Sequence, residues 1–253
     1  MDRLFDAYRA MHEQAFAPIF CKDGFNSKRQ VEACVAAGCK GIEYTLRKPD
    51  AREMIPWIRK NYPDLYLLVG STVDSDAVVA RQRCKHPQLM TVAEVADIGV
   101  DGFVSMLGWS DESLRKYSAT HIIAPTAMTV REALLQTDCG AHFQKLLGSD
   151  LDFVRRCRGG AAFDYCPILV TGGQTPETMG ATFQAGAVMV GTGFDLTMKG
   201  LDADASVEQI TEIVKTYVAA AKQARAAAWP ELAAADGGPK QAWLDALPHY
   251  HPF

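Results

Sequence analysis

One strand-to-helix unit can be read from residues 166–177, CPILVTGGQTPE. The first half is a short apolar run bounded by turn residues, which is typical of a buried β-strand. Gly172 and Gly173 then predict a turn. Thr175 followed by Pro176 predicts the start of a helix, because threonine caps a helix N-terminus and proline suits the first helical position. The stretch therefore predicts a strand, a tight turn and a helix in that order.

The same unit recurs along the chain. Short apolar runs rich in β-branched and aromatic residues alternate with segments of helical periodicity. Eight of these runs are predicted to be strands: residues 17–21, 41–45, 66–69, 102–105, 121–124, 142–146, 166–171 and 187–191. This alternation is the pattern of an α/β fold of the (β/α)8 TIM-barrel type. A doubly wound open sheet is the alternative, but it usually carries a glycine-rich fingerprint after its first strand, where this chain has CKDGFN.

Helix boundaries carry their own signals. Four pairs have the spacing of a capping box: Ser27 with Gln30, Asp50 with Glu53, Thr91 with Glu94, and Thr129 with Glu132. Three glycines stand just before predicted strands, where the end of a helix favours the left-handed conformation: Gly38, Gly99 and Gly186. Residues 3–16 place apolar side chains at helical spacing, which predicts a short helix before the first strand.

We predict a single barrel domain over residues 1–225 and a C-terminal extension over residues 226–253. The extension is rich in alanine, proline and glycine and then becomes aromatic. Its apolar residues, from Trp243 to Phe253, predict docking on the barrel or on a neighbouring subunit. Residues 81–92 make the third connection between strands unusually long.

Composition excludes several classes of protein. The chain has 253 residues and a formal net charge of −4, which argues against a nucleic-acid binder that must neutralise phosphates. No apolar run reaches the roughly 20 residues that span a bilayer. The N-terminal residues lack the apolar core of a signal peptide, so we expect a cytoplasmic protein. Seven scattered cysteines in mostly apolar segments predict reduced thiols, and no metal-binding motif is present.

Two predicted strands carry ionisable side chains. The second reads GIEYTLR at 41–47, and its period of two puts Glu43, Thr45 and Arg47 on one face. A carboxylate beside a guanidinium in a barrel indicates either an internal salt bridge or a functional site. The sixth strand contains Lys145 in the run HFQKLLG. This lysine is either a surface residue or a buried amine of the kind that forms Schiff bases with carbonyl groups.

The turns after the seventh and eighth strands are rich in glycine. The first contains Gly172 and Gly173, and the second contains Gly191 and Thr192. Such turns present main-chain N–H groups to an anion, and these two strand ends recurrently bind phosphate in TIM barrels. We therefore expect an anionic group at this end of the site.

Taken together, these segments resemble the 2-keto-3-deoxy-6-phosphogluconate / 4-hydroxy-2-oxoglutarate (KDPG/KHG) aldolases, which are Schiff-base enzymes of barrel fold. The resemblance covers residues 17–200. It rests on Glu-x-Thr-Leu-Arg at 43–47, Gly-Ser-Thr-Val at 70–73, Ile-Ala-Pro at 123–125, the lysine strand, Val-Thr-Gly-Gly at 170–173 and the glycine-rich end of the eighth strand.

The resemblance implies a role for each matching residue. Lys145 would be the amine that condenses with the keto group of pyruvate, and Glu43 the general acid/base. Arg47 and Thr72 would hold the pyruvate carboxylate. The other implied substrate contacts are Pro125, Leu147, Gly172, Gly173, Gly191 and Thr192. The resemblance implies no metal or other cofactor, and it implies a homotrimer.

Two departures from the family pattern concern the aldehyde half of the substrate. The family usually follows its lysine with Phe-Phe-Pro, whereas this chain has Leu-Leu-Gly at 146–148, so Leu147 would replace the aromatic ring beside the pyruvyl methyl group. The last turn commonly reads Gly-Gly-Ser, whereas Gly-Thr-Gly at 191–193 moves the hydroxyl by one position. The aldehyde, its phosphorylation and the stereochemistry at C4 therefore stay open.

We predict a class I, metal-independent aldolase that reversibly cleaves a 2-keto-3-deoxy acid, with or without a 6-phosphate, or a 4-hydroxy-2-keto acid. Its partners would be this small keto acid and pyruvate, with no nucleic acid or membrane. Two alternatives stay open: a phosphate-binding isomerase or epimerase in which Lys145 is only electrostatic, and a non-catalytic barrel that binds an anionic metabolite. A metal-dependent aldolase is disfavoured because no cluster of carboxylates and histidines has ligand spacing.

Overall fold

Eight parallel strands form the centre of the molecule. The structure is a computed structural model, and it describes residues 3–148, 150–159 and 165–253. The strands are β1 (Phe16–Phe20), β2 (Gly41–Thr45), β3 (Tyr66–Gly70), β4 (Gly102–Val104), β5 (Ile122–Ala124), β6 (Gln144–Leu147), β7 (Ile168–Thr171) and β8 (Met189–Gly193). They lie in one sheet in the order β5-β4-β3-β2-β1-β8-β7-β6.

Helices separate successive strands. They are α1 (Arg3–Gln14), α2 (Ser27–Ala36), α3 (Ala51–Asn61), α4 (Asp76–Gln82), α5 (Val92–Asp97), α6 (Asp111–Tyr117), α7 (Val130–Asp138), α8 (Leu151–Gly159), α9 (Pro176–Gln184), α10 (Phe194–Thr197), α11 (Val207–Ala228), α12 (Pro230–Ala234) and α13 (Lys240–Asp245). The predicted (β/α)8 TIM barrel is therefore confirmed. A bilayer-spanning segment is not found among the helices of the described residues.

Alternate strand positions point into the barrel or outwards to the helices. Leu68 and Leu169 belong to the apolar cluster in the barrel interior, whereas Val69 belongs to a cluster formed with the surrounding helices. The pairing register sets Glu43 beside Leu68, and Lys145 beside Leu169. Residues in register on adjacent strands share a face, so Glu43 and Lys145 both point into the barrel.

Two of the four predicted capping boxes are wrong. The cap of α2 is Asn26, whose side chain accepts hydrogen bonds from two main-chain N–H groups at 3.0 and 3.2 Å. Asp50 makes no side-chain cap bond to α3. Its carboxylate instead accepts hydrogen bonds from Ser27 Oγ at 2.7 Å and from Tyr44 Oη at 2.6 Å. These side chains therefore join α2 and β2 to the start of α3.

The other helix boundaries agree with the sequence. Thr91 and Thr129 form the predicted reciprocal capping boxes, and Thr175 precedes Pro176 at the start of α9. The three glycines predicted to end helices have left-handed φ angles of 81°, 82° and 122°. Residues 81–92 are partly helical, because α4 ends within this segment and α5 begins there.

Some strands are shifted by one or two residues from the prediction. The largest correction for the site is β6, which covers residues 144–147 instead of 142–146. The N–H groups of His142 and Phe143 both donate to Ile123 O, so this segment is not yet in strand geometry. β8 likewise covers residues 189–193 instead of 187–191.

The C-terminal extension covers the end of the barrel where the strands begin. Trp243 is fully buried, and its ring lies 5.9 Å from that of Phe5 and 6.1 Å from that of Tyr8. The ring of Phe253 lies 5.0 Å from Tyr8. Tyr8 in turn packs on Phe143, just before β6, at 5.3 Å. The extension therefore packs on its own barrel and leaves the opposite end free.

Candidate active site

Glu43 is a buried carboxyl group without a hydrogen-bond partner. The residue is 1% exposed, and neither carboxyl oxygen makes a hydrogen bond with any described residue. Burial raises the pKa of Glu43 above its ordinary value, and the positive charges of Lys145 and Arg47 oppose this increase. Such a group keeps its proton at a higher pH than an exposed carboxyl does. It can therefore act as an acid and, after losing the proton, as a base.

Gly70, at the end of β3, makes room for the Glu43 side chain. A Cβ atom at Gly70 would lie 2.9 Å from Glu43 Cδ and 2.8 Å from Thr45 Cγ2. Both distances are shorter than normal van der Waals contact between carbon atoms. Thr45 is held in place, because its hydroxyl donates to Phe20 O at 2.8 Å. Glycine at this position therefore permits the observed placement of the carboxyl group.

Lys145 is the second ionisable residue of the barrel interior. It is 3% exposed, and its Nζ donates to Met106 Sδ at 3.2 Å. A thioether is a weak acceptor, and no carboxylate among the described residues forms an ion pair with this amine. Lys48 is equally buried, but its Nζ donates to Lys22 O at 3.0 Å and lies 3.7 Å from Asp23. Of these two lysines, Lys145 has the amine that is available for reaction.

Main-chain hydrogen bonds position Lys145 where the barrel closes. Its N–H donates to Pro125 O at 2.9 Å, and its carbonyl accepts from Ala127 N–H at 3.3 Å. On the other side it is paired with Leu169 of β7. Pro125, a predicted substrate contact, thus supports the lysine through its carbonyl group.

Thr72 and Arg47, the residues predicted to bind a carboxylate, have different surroundings. Thr72 is buried, and its hydroxyl donates to Val104 O at 3.0 Å, so its only hydrogen is used to join β3 to β4. Ser71 has a left-handed φ of 60°, and its buried hydroxyl has no hydrogen-bond partner in the part of the chain that the structure describes. Strained and unsatisfied residues cluster at functional sites. Arg47 is exposed just beyond β2. The hydroxyl available here therefore belongs to Ser71 and not to Thr72.

A cavity of about 550 Å³ opens beside the end of β6. Leu147 lines it, two residues beyond Lys145 and on the same strand face. Gly172 and Gly173 form another part of the wall, with left-handed φ angles of 87° and 69°. This turn requires glycine for its backbone conformation alone. Glu177, from the first turn of α9, also lines the cavity and was not predicted from the sequence.

Gly191 and Thr192 lie within the barrel wall. Thr192 is fully buried, and its hydroxyl donates to Gln174 O at 2.8 Å. The prediction that this hydroxyl donates to an anion conflicts with that bond, which instead braces the turn after β7. A Cβ atom at Gly191 would lie 2.9 Å from Ile19 Cδ1 and 3.2 Å from Thr171 Cγ2. Close packing inside the barrel is therefore sufficient reason for this glycine.

Within the described residues, no three His, Cys, Asp or Glu side chains are placed to hold a metal ion. His142 lies at the other end of the barrel, with its ring 6.0 Å from that of Tyr8. Burial lowers the pKa of His142 to about 3. The candidate site thus consists of Glu43, Lys145 and the groups around them.

The chain is similar in sequence to a known aldolase. No family model matches it. It is 25% identical over 196 residues to 2-dehydro-3-deoxy-6-phosphogalactonate aldolase of Escherichia coli (strain K12). The match covers 74% of this chain and 86% of the relative. The resemblance to this aldolase family is confirmed.

Solved structures of aldolases share the fold. "Native KDPGal structure" aligns with a TM-score of 0.65 and 22% identity, covering 83% of this chain and 95% of that one. The 2-keto-3-deoxy-6-phosphogluconate aldolase of Zymomonas mobilis ATCC 29191 aligns with a TM-score of 0.62 and 21% identity, covering 85% and 95%. At these identities the structural likeness shows the barrel fold.

Proposed function

We propose that this protein is a class I aldolase that forms an imine between Lys145 and a 2-keto acid and reversibly releases pyruvate and an aldehyde. One observation carries the proposal. Among the described residues of the barrel, an amine without an ion pair accompanies a buried carboxyl group without a hydrogen-bond partner. Burying polar groups in this way destabilises a fold, so a chemical role explains why Lys145 and Glu43 are placed there.

Imine formation uses both groups. Nζ of Lys145 attacks the C2 carbonyl carbon of the keto acid to give a carbinolamine. Glu43 supplies a proton to the C2 oxygen, which leaves as water, and the nitrogen lone pair forms the iminium double bond. Met106 offers the amine only a thioether, so no anionic partner has to be displaced before the attack.

Cleavage moves one proton in each direction. The Glu43 carboxylate takes the proton of the C4 hydroxyl while the C3–C4 bond breaks. The electron pair of the C3–C4 bond moves into the iminium to form an enamine. The aldehyde leaves, and Glu43 returns the proton to C3. Water then hydrolyses the iminium, which releases pyruvate and restores the amine of Lys145. The raised pKa of Glu43 suits the two steps in which it is the acid.

The substrate carboxylate has two donors near the strand ends. The guanidinium of Arg47 can form a bidentate pair with it, and the unpartnered hydroxyl of Ser71 can donate one further hydrogen bond. In this proposal Ser71 takes the role that the family resemblance gave to Thr72.

The proposed reaction needs no metal or other cofactor, because the lysine imine itself accepts the electrons. The proposal includes assembly as a homotrimer. Met128, Leu134 and Leu135 on and beside α7 are 69%, 38% and 44% exposed, and such apolar side chains are suited to contact between subunits. A molar mass measured by light scattering tests this part separately.

Borohydride trapping tests the chemistry. With pyruvate and borohydride, we expect one reduced pyruvyl group on the protein, mapped to Lys145 by mass spectrometry, and no adduct in Lys145→Arg. Lys48→Arg is the matched control, because Lys48 is also buried but its amine is held by Lys22 O and Asp23. Activity should survive chelators. An adduct on another lysine, or none at all, contradicts the proposal.

A further inference from the structure

Met106 brings a sulfur atom against the proposed nucleophile. Its Sδ accepts a hydrogen bond from Lys145 Nζ at 3.2 Å, and this contact is only partly buried. Lys145 is 3% exposed, whereas Met106 is 40% exposed. Every other methionine that the structure describes is buried, with the exception of Met128. An exposed thioether, a group that oxidants attack readily, therefore contacts a buried amine.

The main chain on both sides of Met106 is held by hydrogen bonds. The hydroxyl of Ser105 donates to Thr72 O at 2.7 Å and accepts from the Leu107 N–H at 3.0 Å. Thr126, which follows β5, donates its hydroxyl to Ser105 O at 2.7 Å and its N–H to Leu107 O at 3.1 Å. These bonds prevent the loop from carrying the sulfur away from the amine. A chemical change at the sulfur therefore acts on the amine directly.

Oxidation of this sulfur changes the group that the amine contacts. A thioether is a weak hydrogen-bond acceptor, whereas a sulfoxide is polar and its oxygen accepts strongly. Hydrogen bonds to a charged group are the stronger ones, so a sulfoxide at Met106 favours the ammonium form of Lys145. An ammonium group has no lone pair with which to attack a carbonyl carbon. Glu43, the carboxyl group that interacts electrostatically with Lys145, is not altered by the oxidant. The sulfoxide therefore slows imine formation.

We propose that Met106 is an oxidation site through which a peroxide reversibly inactivates Lys145. Hydrogen peroxide transfers one oxygen atom to Sδ: the O–O bond breaks, the sulfur loses two electrons, and the second peroxide oxygen leaves as water. A dithiol-dependent methionine sulfoxide reductase reverses the change, because two electrons and two protons remove the oxygen as water. This inference rests on the proposed aldolase function, since it acts on the amine that forms the imine.

The test measures how fast pyruvate and borohydride label Lys145 before and after treatment with hydrogen peroxide. Dithiothreitol is added after the peroxide, because it reverses thiol oxidation at the exposed Cys84 but leaves sulfoxides. Peptide mass spectrometry should find one added oxygen on Met106, and labelling of the wild type should slow by on the order of tenfold or more, the effect of one hydrogen bond to a charged group. Methionine sulfoxide reductase should restore the rate. Met106→Leu, which keeps the volume and removes the sulfur, should be labelled at a rate that peroxide does not change.

Met128→Leu is the matched control. Met128 is 69% exposed, and its sulfur makes no hydrogen bond to Lys145 in the described structure, so this variant should stay as sensitive to peroxide as the wild type. The inference about Met106 is wrong, and the aldolase proposal stands, if untreated protein is labelled on Lys145 but any of three results follows. Met106 resists peroxide, its oxidation leaves the labelling rate unchanged, or Met106→Leu loses as much as the wild type. If untreated protein forms no adduct on Lys145, both proposals fail.

Discussion

Replacing Gly70 with alanine should displace the Glu43 carboxyl group and slow catalysis. The new Cβ atom would lie 2.9 Å from Glu43 Cδ and 2.8 Å from Thr45 Cγ2, against a normal separation of about 3.5–4.0 Å. Glu43 has the longer and more flexible side chain, so its carboxyl group would move by about 1 Å. A misplacement of this size costs on the order of 10²-fold in rate. Overpacking should also lower the free energy of unfolding by about 1–3 kcal/mol.

The assay separates positioning of Glu43 from formation of the lysine adduct. kcat for pyruvate release should fall in Gly70→Ala, while prolonged incubation with pyruvate and borohydride still labels Lys145. Gly180→Ala is the matched control, because nothing lies within 4 Å of a Cβ atom at Gly180 in α9. Alanine there should leave kcat unchanged and stabilise the helix by about 0.5–1 kcal/mol. Wild-type turnover in a folded Gly70→Ala variant would show that Glu43 is not the proton carrier.

Three further predictions concern charge and pH. Burial raises the pKa of Glu43 in the folded protein above the value of about 4.3 for the unfolded chain. The contribution of the protonated carboxyl group to the free energy of unfolding is therefore fully present below a pH of about 4.3 and is lost as pH rises through the pKa of the folded protein. As pH increases, the Tm of Glu43→Gln should therefore rise relative to the Tm of the wild type. The substitution should also lower turnover by about 10²–10⁴-fold. Equal pH dependence of the two Tm values would contradict the buried carboxyl. Burial lowers the pKa of His249 to about 3. Protonation of this group should therefore lower the free energy of unfolding by about 1.4 kcal/mol per pH unit as pH falls from about 6.5 towards about 3. Acid titration of Tm should be shallower in His249→Gln, and an unchanged slope would count against the depressed pKa. Arg225 is buried and pairs with Asp236 through bonds of 2.7 and 2.9 Å, so Asp236→Asn should destabilise by about 3 kcal/mol in urea unfolding. The double variant Arg225→Met, Asp236→Leu should recover part of that loss, and no recovery would mean that the ion pair itself is not responsible.

The barrel was predictable because its signal repeats. Each strand is a short apolar run, and most of the helices begin or end at a residue whose backbone preference is local, such as Thr91 or Gly99. The capping prediction for α2 failed because two adjacent polar residues can each serve as the N-cap. Ser27 and Asn26 are both good caps, and Asn26 takes the position because the hydroxyl of Ser27 reaches Asp50 across the helix boundary. Such a contact between distant residues cannot be read from local spacing.

The candidate site could likewise be predicted from the sequence only in part. The inward placement of Glu43 and Lys145 follows from the period of a strand, which sequence shows directly. Which hydroxyl is free near the proposed carboxylate site depends on main-chain acceptors that only the folded barrel brings close. Thr72 reaches the carbonyl of Val104, whereas Ser71 is turned away by its left-handed backbone and stays unpartnered. The Gly-Ser-Thr run contains both hydroxyls and does not distinguish them.

Met106 shows a different limit of prediction from sequence, because no sequence motif identifies it as a neighbour of Lys145. It follows β4 at the chain position after Ser105, and only the curvature of the barrel brings its sulfur to 3.2 Å from Lys145 Nζ. A leucine of similar volume would fit the same hydropathy pattern. The sequence could therefore place Lys145 in the barrel but not identify the atoms beside its amine.

The two ends of the barrel differ in the kind of side chain that they bury. Around Glu43 the interior holds a carboxyl group that burial pushes towards its neutral form, and an ionised form there destabilises the fold. At the other end, the rings of Tyr8, Trp243 and Phe253 pack together under the strands, while Tyr8 Oη and Trp243 Nε1 have no hydrogen-bond partner among the described residues. Because the aromatic rings bury apolar area at one end of the barrel, the end that holds Glu43 and Lys145 can keep unsatisfied groups without unfolding the domain.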